Sequence, residues 1–304
     1  MAISRAQLVK ELEPGLNALF GLEYKRYENQ HTEIYTVESS DRAFEEEVML
    51  SGFANAEVKA EGSGVSFDEA QETYTARYTH DTIALAFAIT EEAIEDNLYD
   101  RLASRYTKAL ARSMSNAKQV KAAAPLNNGL SSVATFKAGD TVSLFSTNHT
   151  TVSGTAVKNT LTTQADLNET SLEQGLIDIA GMTDERGLRV AARGVKMIIP
   201  SANQFNAERL MKSQGRTGTA DNDINAVASR GMVPQGYRVN NFLTDTDSWY
   251  IITDIPNGMK MFQRAALKTA MEGDFDTGNV RYKARERYSF GVSDYRGIFG
   301  VEGA

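Results

Sequence analysis

The side chains that most often carry catalysis or bind metal ions are scarce in this sequence. It contains no cysteine and three histidines, His31, His80 and His149. The absence of cysteine excludes disulfide bonds, thiolate metal sites and cysteine nucleophiles. The histidines fall in stretches that we predict to be an arm, a hairpin and a loop, so neither a metal triad nor a nucleophile with its base is supported. We therefore expect surface histidines without a function.

Other catalytic patterns are missing as well. No phosphate-binding G-x-x-x-x-G-K-S/T run is present, and no G-x-G-x-x-G follows a predicted strand. The string RYSFG around Ser289 lacks the first glycine of the G-x-S-x-G motif. The acidic runs Glu45–Glu47 and Glu91–Glu92 fit a solvated face and a helix N-terminus. The sequence thus predicts no catalytic residue, no metal site and no cofactor, and we expect that the protein is not an enzyme.

The composition is that of an ordinary globular protein. Hydrophobic residues make up 41% and charged residues 24% of the 304 residues, which allows one large domain or two smaller ones. The formal net charge of -8 disfavours a dedicated nucleic-acid binder, which needs a basic face. The N-terminus lacks the apolar core of a secretory signal, and no apolar run approaches the roughly 18 residues that cross a bilayer. We expect a soluble protein made in a cytoplasm.

The first 47 residues begin with a helical pattern and then lose it. Apolar residues recur at helical spacing from Leu8 to Phe20, with an interruption at Pro14. After Gly21 the sequence is polar and aromatic and has no helical period. This pattern indicates an extended N-terminal arm, although an ordinary N-terminal strand and loop would explain it equally well.

Residues Val48 to Ile89 have the pattern of a long β-hairpin. A turn is predicted at Glu61–Gly64, because glycine adopts positive φ without steric cost. One face of the return strand carries the apolar side chains Ile83, Leu85, Phe87 and Ile89. Further toward the tip, Tyr74, Ala76 and Tyr78 alternate with Thr and Arg residues, which are polar. We therefore expect burial to fade toward the tip. A single strand from Tyr74 to Ile89 would be on the order of 50 Å long.

A long amphipathic helix is predicted from Thr90 to about Ala124. Thr90 is a favourable N-cap residue, and acidic residues follow in the first two turns. About 34 residues give a helix about 50 Å long, roughly the diameter of a compact globule of this size. Together with a hairpin that cannot bury itself, this indicates a flat or elongated subunit that completes its contacts with neighbours. A long helix across a normal α+β domain is the alternative.

The remainder of the chain is predicted to be an α/β layer followed by a β-rich end. Residues 131–170 are rich in Ser, Thr, Asn and Gly and predict surface loops. The helices SLEQGLIDIAGM and SANQFNAERLMKS flank a short buried strand, VKMIIP. We predict a mobile loop from Gln214 to Asp223 and strands from Tyr237 onward, two of them in the aromatic and basic C-terminal segment.

Four strings carry a resemblance to a known family: LSGFANAEVKAEGSGVSFDEA, HDTIALAFAITEEAIEDNLYDRLASRYTKALARSM, LFSTNHTTVSGT and ARERYSFGVSDYRGIFG. Together with the order of the predicted elements, they make nearly the whole chain resemble the major capsid proteins of tailed phages with the Hong Kong 97 fold. In amino-acid sequence, these strings are similar to the Mu-like major head subunit family. The resemblance implies an α+β fold with an N-terminal arm, an extended β-hairpin called the E-loop, a long spine helix, and peripheral and axial domains.

The resemblance also implies a division of the chain by position. The segments are the N-terminal arm (1–47), the E-loop hairpin and its base (48–89), the spine helix of the peripheral domain (90–130), the axial domain (131–245) and a C-terminal β-rich return to the peripheral domain (246–304). Position alone suggests the following subunit-interface residues: Tyr24, Tyr27, Lys59, Glu61, Phe67, Arg77, Arg216, Asp221, Arg285 and Arg287. No motif supports a covalent crosslink at Lys59.

The function implied by the resemblance is that of a major capsid protein. Such a protein self-assembles into the hexamers and pentamers of an icosahedral phage head around double-stranded DNA, and it is part of the virion after assembly in the bacterial cytoplasm. The partners would be the protein itself, a separate scaffolding protein, portal and decoration proteins, and packaged DNA through nonspecific contact, with no membrane. An encapsulin-like shell protein and a phage tail or surface binding module are the alternatives.

Overall fold

The computed structural model describes residues 5–90, 92–93, 99–131, 137–215, 223–274 and 278–304. Two four-stranded sheets with helices against them give the predicted α+β class. The α-helices are α1 (Arg5–Arg26), α2 (Tyr99–Asn127), α3 (Glu169–Ala180), α4 (Gln204–Lys212) and α5 (Ala226–Arg230). The strands are β1 (Thr36–Ser39), β2 (Phe44–Leu50), β3 (Glu72–Thr79), β4 (Asp81–Ile89), β5 (His149–Thr150), β6 (Ala156–Val157), β7 (Gly194–Ile199), β8 (Tyr237–Val239), β9 (Trp249–Thr253), β10 (Met259–Gly273), β11 (Val280–Val292) and β12 (Ile298–Val301).

The first sheet, which we call the long sheet, has the strand order β1-β10-β11-β4. β11 runs antiparallel to both β10 and β4, whereas β1 is parallel to β10. Side chains of β11 are alternately buried and exposed, because successive residues of a strand point to opposite faces. The buried face packs under α1 and α2, where Phe20, Leu110 and Met114 share a core with Tyr282. The other face is open except at the end where β3 lies over it.

The second sheet has the order β12-β9-β7-β8 and holds the largest core of the described residues. Trp249 of β9 and Phe299 of β12 are fully buried beside α3. Gly175 of α3 lies so close to them that an added Cβ would be 3.1 Å from the Trp249 ring and 3.2 Å from the Phe299 ring. Only glycine lets the helix approach the sheet at this distance without a shift.

The C-terminal segment is divided between the two sheets. β10 and β11 belong to the long sheet, whereas β9 and β12 pair with each other and, through β7, with the sheet of the middle of the chain. The predicted strands of this segment are confirmed. The division of the chain into peripheral and axial domains, with 246–304 as a β-rich return to the peripheral domain, stays a prediction.

The hairpin between residues 48 and 89 is interrupted on its return side. β2 and β3 pair as antiparallel strands. The return strand is interrupted at His80, and β4, which follows it, pairs with β11 instead of β2. The prediction of a single strand from Tyr74 to Ile89 is therefore wrong. The alternating pattern continues through the break, because both halves are strands, and the sequence contains no signal that their partners differ.

Burial along this return side also differs from the prediction. Ala76 and Tyr78 are buried, and the Tyr78 ring packs edge-on against Phe262 of β10 with centroids 4.8 Å apart. In contrast, Leu85 of β4 is 47% exposed. The expected fading of burial between Ile89 and Tyr74 is wrong, since β3 lies over the end of the long sheet and gains contacts that its polar neighbours do not indicate.

The N-terminal segment is more helical than predicted. α1 continues past Gly21 to Arg26, and Pro14 lies inside it. The predicted extended chain directly after Gly21 is therefore wrong. Leu16 and Phe20 are buried against the long sheet and α2, and this tertiary packing stabilises a helix that the polar sequence after Gly21 does not favour alone.

The long helix is confirmed over the part that the structure describes. α2 contains 29 residues, which at the usual rise per residue makes it about 44 Å long. Pro125 falls inside its last turn, and the helix ends at Asn127, close to the predicted stop. The predicted start at Thr90 cannot be traced into α2, because residues 91 and 94–98 lie outside the described residues. Most of the predicted loop from Gln214 to Asp223 lies outside them as well.

Candidate assembly site

The segment between β2 and β3, residues 51–71, contains no helix or strand and is almost entirely exposed. We call it the hairpin loop. The turn at its tip lies where it is predicted, because the backbone N–H of Ser63 donates to the carbonyl of Ala60 at 3.2 Å. Gly62 in this turn has a φ of +80°, which explains the choice of glycine.

The hairpin loop carries large apolar side chains that have no cover within the chain. Val58 and Phe67 are each 99% exposed, and Phe53 and Val65 are more than half exposed. Large apolar side chains that are exposed on one segment are typical of a surface that another molecule buries. The sequence places these residues in the loop, but only the structure establishes that nothing in the described part of the chain packs on them.

The two arms of the hairpin loop are joined near its base. The backbone N–H of Ala54 donates to the Asp68 carboxylate at 2.6 Å, and the backbone N–H of Ser51 donates to the carbonyl of Gln71 at 2.8 Å. The Ala54 hydrogen bond is the main reason why the pKa of Asp68 lies below its usual value. Arg186 lies 3.7 Å from Asp68 and connects this stem to the body of the subunit. The loop therefore leaves the body as a paired stem.

Charged residues anchor the root of the hairpin on the long sheet. Lys260 of β10 forms ion pairs with Glu47 of β2 and with Glu38 of β1, the latter at 3.1 Å. Burial lowers the pKa of Lys260, but hydrogen bonds to the two carboxylates outweigh this effect and raise it above its usual value. Glu47 also accepts a hydrogen bond from the Ser293 hydroxyl. β2 is thereby fixed to β10 and to the residue that follows β11, both distant in sequence.

The break between β3 and β4 is occupied by a buried histidine. His80 Nε2 lies 3.0 Å from the Ser40 hydroxyl, and Nδ1 lies 3.0 Å from the Ser289 hydroxyl of β11. The hydroxyl of Ser40 in turn donates to Glu45 at 2.7 Å. Burial, with Arg287 nearby, lowers the pKa of His80. His80 thus joins the hairpin root to the long sheet, a contact for which the sequence offers no signal.

The other two histidines are buried too, so the prediction of surface histidines is wrong. The backbone N–H of His31 donates to Gln119 of α2 at 3.0 Å, and burial lowers the pKa of the His31 imidazole to about 4. His149 contacts Asp140 at 2.6 Å and Asn159 at 3.2 Å and stacks on a tyrosine ring. Buried polar side chains of this kind persist where their hydrogen bonds are satisfied, which sequence spacing does not reveal.

The candidate interface residues of the hairpin are exposed. Lys59, Glu61 and Phe67 lie on the hairpin loop. Arg77 is on β3, where its guanidinium lies 3.9 Å from the centroid of the Phe44 ring and its ion pair with Glu46 measures 3.6 Å. Arg77 therefore already has partners within its own chain.

The two N-terminal candidates, Tyr24 and Tyr27, are on α1. Tyr24 is half-buried and donates a hydrogen bond to Glu286 at 3.3 Å. Glu286 is fully buried and forms an ion pair with Lys118 of α2 at 2.5 Å. Tyr24 thus helps to connect α1, α2 and β11, a role inside the subunit. Tyr27 is more exposed and lies below the guanidinium of Arg112 at 5.9 Å.

The last two described candidates are on the open face of the long sheet. Arg285 is exposed and Arg287 is partly exposed, and they alternate along β11 with buried Ala284 and Glu286. Arg216 and Asp221 lie outside the described residues. Within the described ranges, no cluster of three or more His, Asp or Glu side chains is arranged to hold a metal ion, and no helix there is long and apolar enough to cross a membrane.

The sequence matches a known protein family. The family described as phage capsid protein matches residues 73–301, which run from β3 to the end of β12. No curated protein sequence matches the chain.

Solved structures similar to this chain include capsids and a virus-like particle. The capsid of an empty GTA particle is 13% identical, with a TM-score of 0.59 and coverage of 92% of this chain and 91% of that chain. The procapsid of bacteriophage JBD30 is 14% identical, with a TM-score of 0.53 and coverage of 99% and 77%. A virus-like particle from Pyrococcus furiosus is 10% identical, with a TM-score of 0.53 and coverage of 94% and 98%. These likenesses confirm the predicted Hong Kong 97-type fold.

Proposed function

Because this chain belongs to the phage capsid protein family, we propose that it is the major subunit of an icosahedral phage head and that it assembles from hexamers and pentamers. The observation that carries the proposal is the hairpin loop, which projects from the subunit with Val58 and Phe67 uncovered. A neighbouring copy would bury these side chains at a favourable free energy of roughly 25 cal/mol per Å² of apolar surface. The protein would be a structural component of the virion.

Assembly would bury the apolar side chains of the hairpin loop that a single copy leaves exposed. A stable protein interface buries about 1,000 Å² or more, which a projecting stem and loop lying across a neighbour readily supplies. The root of the hairpin is held by Lys260 and His80, so the loop would be presented in a constant direction. This organisation agrees with the E-loop that we predict for residues 48–89.

The proposed partners go beyond the chain itself. We expect a separate scaffolding protein during assembly in the bacterial cytoplasm, and portal and decoration proteins in the finished head. Packaged double-stranded DNA would contact the shell without sequence specificity, through phosphates and basic side chains.

The test is to shorten the hairpin loop without disturbing its stem. Residues 56–66 are replaced by Gly-Gly, which leaves the bond from Ala54 to Asp68 in place. The shortened protein should remain folded, because the removed side chains are exposed, yet shells should be absent from negative-stain micrographs of cells that co-express a scaffold. The matched control replaces residues 152–155, the exposed part of the turn between β5 and β6, with a Gly-rich linker of the same length. Normal particles from the shortened protein would refute the proposed role of the loop.

An encapsulin-like shell is the alternative to a phage head, because the virus-like particle from Pyrococcus furiosus shows that this fold is not limited to phage capsids. The contents of purified particles distinguish the two. A phage head should contain packaged DNA and a portal at one vertex, whereas an encapsulin-like shell should contain cargo protein and have no portal.

A further inference from the structure

The hairpin is connected to the long sheet by two short links. On the outgoing side residues 40–43 separate β1 from β2, and on the return side His80 alone separates β3, which pairs with β2, from β4, which pairs with β11. Rotation of the backbone in these links would change the direction of the hairpin relative to the long sheet. The hydrogen bond between His80 and Ser40 joins one link to the other.

The hydrogen bonds around His80 define its tautomer. The Ser40 hydroxyl donates its single proton to Glu45 and also accepts the backbone N–H of Arg42 at 3.3 Å, so toward the imidazole it acts as an acceptor. Nε2 is therefore the protonated nitrogen of neutral His80, and Nδ1 accepts a hydrogen bond from the Ser289 hydroxyl. In this form both ring nitrogens have a partner.

A second proton on the imidazole would break this arrangement. It would bind to Nδ1, so the Ser289 hydroxyl would lose its acceptor, and that hydroxyl has no other partner in the part of the chain that the structure describes. Because His80 is 6% exposed, water does not readily replace the lost contact. The observed arrangement therefore fits the neutral imidazole and not the protonated one.

The charges around the imidazole also oppose protonation. Arg264 of β10 and Arg287 of β11 lie near it, and neither guanidinium forms an ion pair within the described ranges. Glu45 of β2 counteracts them, whereas Asp81 of β4 is already paired with Lys121 of α2. Burial and the two arginines together outweigh Glu45, which is why the pKa of this histidine is lowered.

The surroundings of the break between β3 and β4 leave space for movement. A cleft of about 460 Å³ lies beside the break and is lined by Thr79 and Asp81, on either side of His80, and by Ser289. The ion pairs of Lys260 with β1 and β2 do not involve the imidazole. They would keep the root of the hairpin attached while the links rotate.

We propose that His80 is a proton-dependent latch, which fixes the direction of the hairpin when it is neutral and releases the hairpin when it is protonated. A state that binds a proton less tightly is disfavoured as the pH falls. The ratio of latched to released hairpins should therefore fall by up to about tenfold for each pH unit by which the latched state lowers the pKa of His80. The latch is a property of the single subunit, and only its effect on assembly rests on the proposed function.

Distance measurements on unassembled subunits test the latch. Since the chain has no cysteine, Glu61→Cys at the loop tip and Lys268→Cys on β10 can carry a pair of fluorophores for energy transfer. The transfer efficiency should change as the pH is lowered from about 8 to about 5, the range in which histidine titrates. His80→Gln is the matched control, because its amide can donate to Ser40 and accept from Ser289 but takes up no proton. It should keep the efficiency of the neutral state throughout.

A charge variant distinguishes the latch from a purely structural contact. Arg287→Gln removes a positive charge near His80, so the pKa of His80 should rise, and the change in transfer efficiency should become smaller because proton binding is coupled less strongly to movement. NMR titration of the His80 ring, whose signal is assigned by its loss in His80→Gln, measures the pKa. A constant efficiency in the wild type, or the same change in His80→Gln as in the wild type, would overturn the proposal.

Particle assembly separates this proposal from the proposed function. If the efficiency responds to pH as described and no shells form with a scaffold under any condition, the proposed function fails and the latch stands. If shells form and the efficiency does not respond, the latch fails and the proposed function stands.

Discussion

The hairpin loop and the sheet around Trp249 treat their apolar side chains in opposite ways. Trp249 is fully buried, packs beside Phe299, and donates a hydrogen bond from its indole N–H to the carbonyl of Ala165 at 3.1 Å. Phe67 is 99% exposed and has no such environment. The buried Trp249 stabilises the folded subunit. The exposed Phe67 can contribute a favourable free energy only when another molecule covers it. Stability and assembly are therefore assigned to different parts of the chain.

The largest expected effect on the free energy of unfolding comes from a substitution in the sheet around Trp249 and not from one in the hairpin loop. Trp249→Ala should lower the free energy of unfolding by about 3–5 kcal/mol, because it leaves a cavity in the core and an unpaired carbonyl. Phe67→Ala should change it by less than about 0.5 kcal/mol, as expected for an exposed position, while reducing the yield of shells. Urea unfolding of unassembled subunits measures the first quantity and particle counts measure the second. Equal effects of the two changes on stability would remove the distinction.

A second prediction concerns the charged contact inside the subunit. Lys118→Met should cost about 3–5 kcal/mol, because it leaves the buried carboxylate of Glu286 without its cation. Burial already raises the pKa of Glu286, and loss of the lysine raises it further, so the variant should regain stability as the pH falls and the carboxyl group becomes protonated. Thermal unfolding of both proteins between pH 5 and pH 8 measures this. A deficit that is the same at every pH would contradict it.

A third prediction tests the contact between α3 and the second sheet. Gly175→Ala should destabilise the subunit by about 1–3 kcal/mol, because the new methyl group would lie 3.1 Å from the Trp249 ring. Gly64→Ala is the matched control, since nothing lies within 4 Å of the position of its Cβ. Urea unfolding should place the control near the wild type, and a neutral Gly175→Ala would show that the helix can shift without cost.

A fourth prediction concerns pH and His31. The folded-state pKa is about 4 and the usual value is 6.5, so the folded subunit binds fewer protons than the unfolded chain between these values. Its contribution to stability is therefore complete above pH 6.5 and is lost as the pH falls toward 4, with a slope of at most about 1.4 kcal/mol per pH unit. His31→Gln should show a shallower pH dependence in thermal unfolding. An unchanged slope would mean that other groups cause the acid sensitivity.

The predictions that succeeded rest on local patterns. α3, α4 and β7 are where the sequence places them, and the helix that ends at Asn127 has apolar residues at helical spacing throughout. The glycine turn near Gly62 is likewise local, since positive φ is a property of one residue. Such features depend on chain neighbours, and a single sequence contains that information.

The predictions that failed concern partners that are distant in sequence. No local signal distinguishes β3, which pairs with β2, from β4, which pairs with β11, and none indicates that all three histidines are buried. The extension of α1 past Gly21 depends on the long sheet beneath it. The sequence shows that β11 contains basic residues, but their alignment on one face of the sheet with the alanines of β4 depends on the register of the two strands.

The class of fold, the positions of α2, α3, α4 and most strands, the glycine turn of the hairpin loop and the absence of cysteine chemistry can all be read from the amino-acid sequence. The tertiary structure decided which strands pair, which polar side chains are buried, and which face of the long sheet remains open. The physical reason is that hydrophobic period and turn chemistry are set within a few residues. Pairing and burial depend on the free energy of contacts between segments up to 265 positions apart, as in the hydrogen bond from Tyr282 to Asn17.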